Sequence, residues 1–386
     1  MNQNKYIFAQ LVEFLDNNKF FRIVQKYNGD KGNRGFTCWN QLLMMIFGQL
    51  SNRDSLRDLV TIIEAHKSKA YHLGFGRCVN LSTIARANAS RDYRIFEEFA
   101  MYIIAYARRI RANAEFEVKT EGNIYAFDSS IISLCLSVFW WATYKRNTGA
   151  VRIHTLLDVK TQIPCFMLIT PASTNDIKAM EHIPYEKGSF YIFDRGYNSF
   201  GDLYRIHRLE AYFIFRARDN LKFKRIYSRR CDKKSVRCDQ IGVFTTGKSP
   251  ALYPEKLRKI RYYDAETDRE FLFLTNNLLL TANEIALLYK KRWQIELFFK
   301  WIKQHLKVKS FWGHTENAVK IQLYCAIIAY CLVAIVAKEL KIERHIYTIL
   351  QIVGFSLHDK TPIKQLLTTI DYKNVKEQDY NLLLFN

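Results

Sequence analysis

The stretch Tyr289-Lys-Lys-Arg-Trp-Gln-Ile-Glu-Leu-Phe-Phe-Lys-Trp-Ile-Lys303 is predicted to be helical, and the rest of the chain is organised around it. No proline or glycine interrupts the sequence around it for about thirty residues. Upstream, Thr281 and Glu284 have the spacing of a capping box at a helix start. The sequence therefore predicts one long helix that begins near Thr281.

A polar stripe follows one side of this predicted helix. At about 100° per residue, its members fall within an arc of roughly 80°. They are Tyr289, Arg292, Glu296, Lys300 and Lys303. A single carboxylate among cations is most often a solvated helix face, so the stripe by itself also fits a structural role.

Two further carboxylates each end a short apolar run. Asp128 ends Ile124-Tyr-Ala-Phe-Asp128, and Asp194 ends Phe190-Tyr-Ile-Phe-Asp194. Each run is typical of a buried strand, where an ionised Asp is costly unless it has a partner. If the two strands pair in parallel, both acids lie at the carboxyl edge of one sheet, where the sites of α/β proteins are found.

Together these features resemble a DDE transposase. The resemblance rests on Asp128, on the motif Asp194-Arg-Gly-Tyr197 and on the spacing Tyr289-x2-Arg292-x3-Glu296-x6-Lys303. That spacing is the mark of the insertion-sequence-four group, which the chain resembles from about residue 5 to about residue 345. The resemblance implies a bacterial transposase that binds element ends, cleaves DNA by phosphoryl transfer and joins the 3′ ends to target DNA.

The resemblance also implies roles for individual residues. Asp128, Asp194 and Glu296 would be the catalytic acids and the metal ligands. Hard oxygen ligands without nearby His or Cys select Mg²⁺, with Mn²⁺ as a substitute, and two ions would serve each active site. The residues expected to contact DNA from this stretch are Tyr289, Arg292, Trp293, Lys300 and Lys303.

The overall charge favours a polyanionic partner. Lys and Arg number 58 against 37 Asp and Glu, which gives a net charge of +21. This fits double-stranded DNA, both element ends and target, although a basic protein that merely repels itself has the same composition. A hydrophobic content of 49% argues against disorder.

Cysteine usage and hydropathy indicate a cytoplasmic protein with no membrane partner. The eight cysteines form no Cys-x2-Cys pair, and no His cluster supports a zinc site, so reduced buried thiols are expected. The longest apolar run, Leu323–Ala337, is short for a membrane span of about 20 residues. We interpret it as a buried helix that packs on the catalytic core.

The first 115 residues are predicted to form an all-helical domain that binds DNA. Helical spacing covers Phe8–Phe21, Trp39–Leu50, Ser55–His66 and Ser82–Arg111. The second and third helices, joined by a polar turn, resemble a helix-turn-helix. A helical domain that only supports dimer packing is the alternative.

The next part alternates strands and helices. Strands are predicted at Ile124–Asp128, Arg152–Val159, Pro164–Thr170, Ser189–Asp194 and Tyr212–Arg216, with helices at Asn175–Ile183 and Ser199–Arg208. An antiparallel meander followed by parallel crossovers predicts an α/β fold with a ribonuclease H-like catalytic core. His154 and Asp158 lie on the second strand and receive no role.

Residues 218–280 are predicted to be a β-rich insertion in that core. Between Arg216 and Arg237 there are ten Lys or Arg against two Asp. Interleaved aromatic residues suit phosphate contact and base stacking, although a solvated basic hairpin is the alternative. The residues expected to bind DNA here are Lys222, Lys224, Arg225, Arg229 and Arg230.

The predicted organisation has five parts. They are a helical domain (1–115), the first part of the catalytic core (116–217), the insertion (218–280), the last part of the core (281–345) and a C-terminal region (346–386). A homodimer is expected in the DNA synapse. Two other functions fit parts of the pattern: a metal-dependent nuclease or resolvase, and a transposase-derived DNA-binding protein without catalysis.

Overall fold

The structure is a computed structural model that describes residues 4–33, 35–76, 80–112, 116–134, 143–145, 148–218, 221–245, 247–305 and 311–368. Seven helices form the N-terminal part of this described chain. They are α1 (Ile7–Val12), α2 (Asn17–Lys26), α3 (Cys38–Leu50), α4 (Leu56–Ala65), α5 (Lys67–Ala70), α6 (Leu81–Ser90) and α7 (Arg94–Arg111). The predicted helical character of this region is therefore confirmed.

Two predicted N-terminal helices are each divided in two. Phe8–Phe21 becomes α1 and α2, because the Asp16 side chain accepts a backbone hydrogen bond and caps a new helix start. Ser82–Arg111 becomes α6 and α7, because Arg91 adopts extended backbone angles, φ −73° and ψ 140°. The Arg91 guanidinium donates to the carbonyl of Thr37 at 3.0 Å, which fixes the break against α3.

The central part contains six strands and two helices. They are β1 (Ile124–Leu134), β2 (Thr143–Lys145), β3 (Thr148–Asp158), β4 (Ile163–Pro171), α8 (Asp176–Met180), β5 (Phe190–Phe193), α9 (Phe200–Arg208) and β6 (Tyr212–Arg216). β1 pairs antiparallel with β3 and parallel with β5, and β5 pairs parallel with β6. The predicted order of strands and helices is confirmed, with the short strand β2 as an addition.

The stretch predicted as an insertion is rich in strands, and these strands extend the same sheet. It contains β7 (Phe223–Ser228), β8 (Val236–Phe244), α10 (Ser249–Leu252), β9 (Leu257–Asp264) and β10 (Arg269–Thr275). β10 pairs antiparallel with β6, and β9, β8 and β7 follow outward. The described residues thus form a mixed sheet of ten strands, in the order β2-β3-β1-β5-β6-β10-β9-β8-β7, with β4 paired to β3.

Five helices complete the described chain. They are α11 (Ala282–Lys290), α12 (Trp293–His305), α13 (Glu316–Glu339), α14 (Ile346–Ser356) and α15 (Ile363–Thr368). The capping box of Thr281 and Glu284 is confirmed. The prediction of one continuous helix is wrong, because α11 and α12 are separated by a turn at Lys291 and Arg292. There the Arg292 amide donates to the carbonyl of Tyr289 at 3.0 Å, three residues earlier, which tightens the backbone.

The sheet lies between two hydrophobic cores. Side chains of β1 alternate between its faces, so Tyr125 and Phe127 pack with residues of α8 and α9. Ile124 and Ala126 face the larger core, which includes the N-terminal helices and α11 to α13. Burying a large apolar side chain contributes about 1.5–3 kcal/mol. The larger core contains many more of these side chains, so it contributes most to the stability of the fold.

Helix α13 lies in the middle of the larger core. By length and composition it is the one helix in the described part of the chain that could cross a membrane, but 94% of its apolar window is buried inside the protein. The predicted buried helix at Leu323–Ala337 is therefore confirmed. Its main helical neighbours are α7, α3, α14 and α6, so it packs chiefly on the N-terminal helices rather than on the sheet.

Candidate active site

Three parallel strands bring charged residues to one edge of the sheet. Phe193 of β5 pairs with Phe127 of β1 on one side and with Phe215 of β6 on the other. The residues that directly follow these three are Asp128, Asp194 and Arg216. The predicted parallel pairing of the two acid-bearing strands is confirmed, and it places both acids at the carboxyl edge.

The position of Asp128 in its strand differs from the prediction. The sequence predicts that Asp128 ends its strand, but β1 continues to Leu134, because β3 keeps pairing with it as far as Gly149. β5 ends at Phe193, so Asp128 has a paired strand on one side only. Asp128 alternates with Ala126 and therefore faces the side of the sheet on which α12 packs.

The turn between α11 and α12 places one guanidinium between two of the acids. Arg292 Nη1 donates to Asp128 Oδ2 at 2.9 Å, and Arg292 Nη2 forms an ion pair with Glu296. The side chains of Arg292 and Asp128 are 14% and 23% exposed, and that of Glu296 is 52% exposed. Asp128 and Glu296, which are far apart in sequence, thus meet around one cation.

Tyr289 binds the third acid. Its hydroxyl donates to Asp194 Oδ1 at 3.0 Å, and its ring lies 4.7 Å from the ring of Phe273 in β10. Burial raises the pKa of Tyr289 to about 12, so the phenol stays protonated and can act as this donor. The turn at residues 291–292 lets Tyr289 and Arg292 reach different acids.

The two strand carboxylates differ in how readily they ionise. Burial raises the pKa of Asp128 to about 6, although Arg292 acts in the opposite direction. Burial also opposes ionisation of Asp194. However, the Arg195 amide, Arg292 and the Tyr289 hydroxyl outweigh burial and hold the pKa of Asp194 below its usual value. Of these two carboxylates, Asp128 therefore gains more from a nearby cation.

The donor set fits a hard divalent metal. Asp128, Asp194 and Glu296 offer only carboxylate oxygens, the ligands that Mg²⁺ and Mn²⁺ prefer. Among the described residues, no three His, Cys, Asp or Glu side chains lie close enough together in this structure to hold an ion. The Arg292 guanidinium instead supplies the positive charge between Asp128 and Glu296. A metal ion that bound Asp128 Oδ2 or Glu296 Oε1 would compete with this guanidinium for the same oxygen.

The other residues of this stretch that were expected to contact DNA are wholly or partly exposed. Lys300 and Lys303 of α12 are exposed, and Trp293 is half-buried at the start of that helix. Neither lysine forms an ion pair with another residue that the structure describes. These side chains can contact a ligand that approaches the acids from solvent.

Most of the predicted DNA contacts of the basic stretch lie at the outer edge of the sheet, on or beside β7. The exposed members are Lys222, Lys224, Arg225 and Arg230. Tyr227 of the same strand is 48% exposed. Arg229 differs, because it donates to the carbonyl of Leu278 at 2.8 Å and lies 4.0 Å from Asp239. Its contacts attach β7 to the segment before α11, so the structure does not bring it together with the exposed cations.

Sequence reasoning missed Arg216 at the acid edge. The charge of Arg216 contributes to lowering the pKa of Asp194, and its guanidinium stacks 5.1 Å from the ring of Phe271. The sequence did contain a signal. Arg216 ends the predicted strand Tyr212–Arg216, just as Asp194 ends the predicted strand Ser189–Asp194. What the sequence lacked was the pairing of β5 with β6.

Comparisons with known proteins give a consistent result. A family model described as "Transposase DDE domain" matches residues 119–332, and a model described as a domain of unknown function, DUF4372, matches residues 3–76. The protein y4zB of Sinorhizobium fredii, described as a transposase, is 35% identical over 66% of this chain and 71% of its own length. A Synechocystis protein, described as a transposase for insertion sequence element IS4SA, is 29% identical over 66% and 71% of the two chains.

Two further comparisons concern a third relative and a solved structure. A Geobacillus stearothermophilus protein, described as a transposase for insertion sequence element IS5377, is 27% identical over 65% of this chain and 66% of its own. The cryo-EM structure of a piggyBac transposase synaptic complex with hairpin DNA aligns with 94% of this chain and 81% of that one. Its TM-score is 0.45 and its sequence identity 11%.

Proposed function

The chain belongs to the DDE transposase family, and we propose that Asp128, Asp194 and Glu296 are the three acids of its active site. It is a transposase of an insertion sequence, an enzyme that cleaves DNA and transfers strands. The observation that carries the assignment of the acids is the contact of one guanidinium, Arg292, with both Asp128 and Glu296. Asp194 supports it, because it follows the residue paired with Phe127 on the adjacent strand.

We further propose membership of the insertion-sequence-four group and a ribonuclease H-like core. The spacing Tyr289-x2-Arg292-x3-Glu296-x6-Lys303 supports the group. The contacts of Tyr289 with Asp194 and of Arg292 with Glu296 give that spacing a physical reason. The strand order from β1 to β6, with helices on the Asp176 and Phe200 segments, supports the core. The five-part division of the chain stays a proposal of the same kind.

The DDE transposase domain implies dependence on divalent metal ions, and we propose two Mg²⁺ per active site. When bound, such ions activate the attacking water or 3′-hydroxyl and stabilise the leaving oxygen of the phosphate. Asp128, Asp194 and Glu296 would hold them. Tyr289 would orient Asp194 through the hydrogen bond that it donates in this structure.

The cations around the acids would position DNA. Arg292 lies at the acids and can exchange its carboxylate partners for a phosphate, for which a guanidinium offers two parallel donors. Lys300 and Lys303 are exposed on α12, where they would contact the backbone beside the cleaved bond. The half-buried Trp293 would contact a base or sugar. The exposed cations of β7 would add phosphate contacts farther from the acids.

We propose that the enzyme acts on two element ends as a homodimer. Each chain carries one set of three acids, whereas excision of an element requires cleavage at both ends. Double-stranded DNA, both ends and target, is the partner that the charge of +21 favours. The bacterial cytoplasm is the proposed compartment, in agreement with the free thiols of the six cysteines in the described residues.

Strand cleavage by acid variants tests the proposed function. Asp128→Asn and Glu296→Gln should each lower cleavage at least about a hundredfold, because the metal ligands supply several kcal/mol of transition-state stabilisation. Binding of element-end DNA should stay nearly intact. Glu266→Gln is the matched control, since Glu266 is an exposed carboxylate whose partner, Lys290, is at the end of α11. Cleavage within about tenfold of wild type in either acid variant contradicts the assignment.

A further inference from the structure

A second polar cluster lies behind Asp128, on the opposite face of the sheet. Ser129 directly follows Asp128 in β1, so its side chain faces the α8 side. The Ser129 hydroxyl donates to Asp176 Oδ1 at 2.6 Å. The Ser129 backbone amide donates to Asp128 Oδ1 at 2.8 Å. One residue thus connects a carboxylate on each face of the sheet.

Asp176 is itself held firmly in place. It begins α8, and its Oδ2 forms an ion pair with Arg152 of β3, whose side chain is only 12% exposed. Arg152 Nη2 also donates to the carbonyl of Ala172 at 3.1 Å. The fully buried His154 lies with Nδ1 at 3.7 Å from Asp176 Oδ1. Both carboxylate oxygens of Asp176 are therefore engaged by the protein.

Tyr197 of the Asp194-Arg-Gly-Tyr197 motif closes this cluster. Its ring lies 5.1 Å from the ring of Phe127 in an edge-to-face arrangement, and the side chain is 3% exposed. Burial, with a contribution from the charges of Asp128 and Asp176, raises the pKa of the Tyr197 hydroxyl. The segment that follows Asp194 therefore packs on Phe127, the residue directly before Asp128.

We propose that Asp176 is a positioning residue for Asp128, acting through Ser129. A line of contacts runs from Arg152 to Asp176, to Ser129, to Asp128 and on to Arg292. Fixing the Ser129 hydroxyl fixes the amide that orients the Asp128 carboxylate. Asp176 is not a metal ligand in this proposal, because it bonds the side chain of Ser129, on the face of the sheet opposite the Asp128 side chain. The inference rests on the proposed role of Asp128 as a metal ligand.

Mn²⁺ affinity of the full-length protein, measured by electron paramagnetic resonance, tests the proposal. Partners that orient metal ligands typically contribute 10- to 100-fold to metal affinity, so Asp176→Asn should weaken Mn²⁺ binding about tenfold. Ser129→Ala should do the same, and Ser129→Thr, which keeps the hydroxyl, should largely restore binding. The double variant of Ser129→Ala and Asp176→Asn should be no weaker than either single one, because both break the same line of contacts.

Asp158→Asn is the matched control. Asp158 lies on the same sheet in β3 and, like Asp176, is paired with an arginine, here Arg108 at 3.4 Å. It lies opposite Tyr125, away from the acid edge. It should lose comparable stability in urea unfolding and keep wild-type Mn²⁺ affinity. Equal Mn²⁺ affinities for Asp176→Asn, Ser129→Ala and this control overturn the proposal. So does complete loss of binding in Asp176→Asn, which would make Asp176 a ligand. If Asp128→Asn keeps wild-type Mn²⁺ affinity, the proposed function fails instead.

Discussion

At the scale of single residues, the central feature is that Arg292 neutralises Asp128 and Glu296 in this structure. It would have to leave those of their oxygens that a metal ion binds. Its guanidinium contacts Asp128 and Glu296 in a partly buried setting, where a charge pair is worth several times its value in water. The same oxygens are the proposed metal ligands. Arg292 and a metal ion therefore compete, and a DNA phosphate that attracts the guanidinium would favour the metal.

This competition predicts that Arg292→Ala raises the Mn²⁺ affinity of the DNA-free protein by about tenfold or more. Without the guanidinium, the largely buried Asp128 carboxylate has lost its main counter-charge, and leaving a buried charge unpaired is costly. Mn²⁺ titration followed by electron paramagnetic resonance measures the change. The same variant should bind element-end DNA more weakly, because a phosphate contact is lost.

Two other variants serve as comparisons for this prediction. Arg292→Lys keeps the charge but not the two-pronged contact, so its Mn²⁺ affinity should lie between those of wild type and Arg292→Ala. Lys300→Ala removes an exposed cation from α12, the helix that follows Arg292, and should leave Mn²⁺ binding of the free protein unchanged. Unchanged or weaker Mn²⁺ affinity in Arg292→Ala would show that the guanidinium does not compete with the metal.

At the scale of secondary-structure elements, the edge strand β7 separates two kinds of cation. Lys224 and Arg225 are exposed on the strand, and Lys222 is exposed directly before it. Arg229, which follows the strand, is directed inward to the carbonyl of Leu278. Cations that contact phosphates release counterions, whereas a cation that holds two segments together does not.

The salt dependence of DNA binding should therefore distinguish these cations. Replacing Lys222, Lys224 and Arg225 together by Ala should flatten the slope of log affinity against log salt by up to about 3 units. Arg229→Ala should leave the slope nearly unchanged and lower stability instead, because it removes the hydrogen bond to Leu278. Fluorescence anisotropy with labelled duplex DNA at several salt concentrations measures both. Equal slopes for the triple variant and wild type would mean that β7 does not contact DNA.

At the scale of the whole molecule, the N-terminal helices and the catalytic part share one hydrophobic core. α13 is buried among α3, α6, α7 and α14. The same core reaches the sheet through Ile124, Ala126 and Ile192. Within the catalytic part, the buried ion pair of Arg258 and Asp239 attaches the outer strands to the carbonyl of Leu280 before α11.

Such a shared core predicts a single unfolding transition. Separate domains would expose their surfaces at different denaturant concentrations, whereas one core is lost cooperatively. In urea, tryptophan fluorescence and far-UV circular dichroism should give coincident midpoints for the full-length protein. A fragment that begins at residue 116 should lack this transition, because α13 would lose the neighbours that bury it. Two well-separated transitions in the full chain would contradict the shared core.

The sequence by itself determined the family of this protein and pointed to the three acids proposed for its site. Local patterns contain that information: apolar runs followed by Asp128 and Asp194, and helical spacing that puts Glu296 near Arg292 and Tyr289. They also predicted the order of strands and helices, since each element depends mainly on its own residues. The family match covers the same acids, because it extends over residues 119–332.

Only the tertiary structure decided which partner each of these residues has. Asp128 stays inside a strand because β3 pairs beyond it, and Arg292 reaches Asp128 across 164 residues of chain. Ser129 and Asp176 are 47 residues apart, and neither shows a pattern that points to the other. Such contacts depend on strand register and on the packing of helices on the sheet. These are long-range interactions that no short window of sequence contains. The contacts of Ser129 and Asp176 next to Asp128 were therefore revealed only by the folded chain.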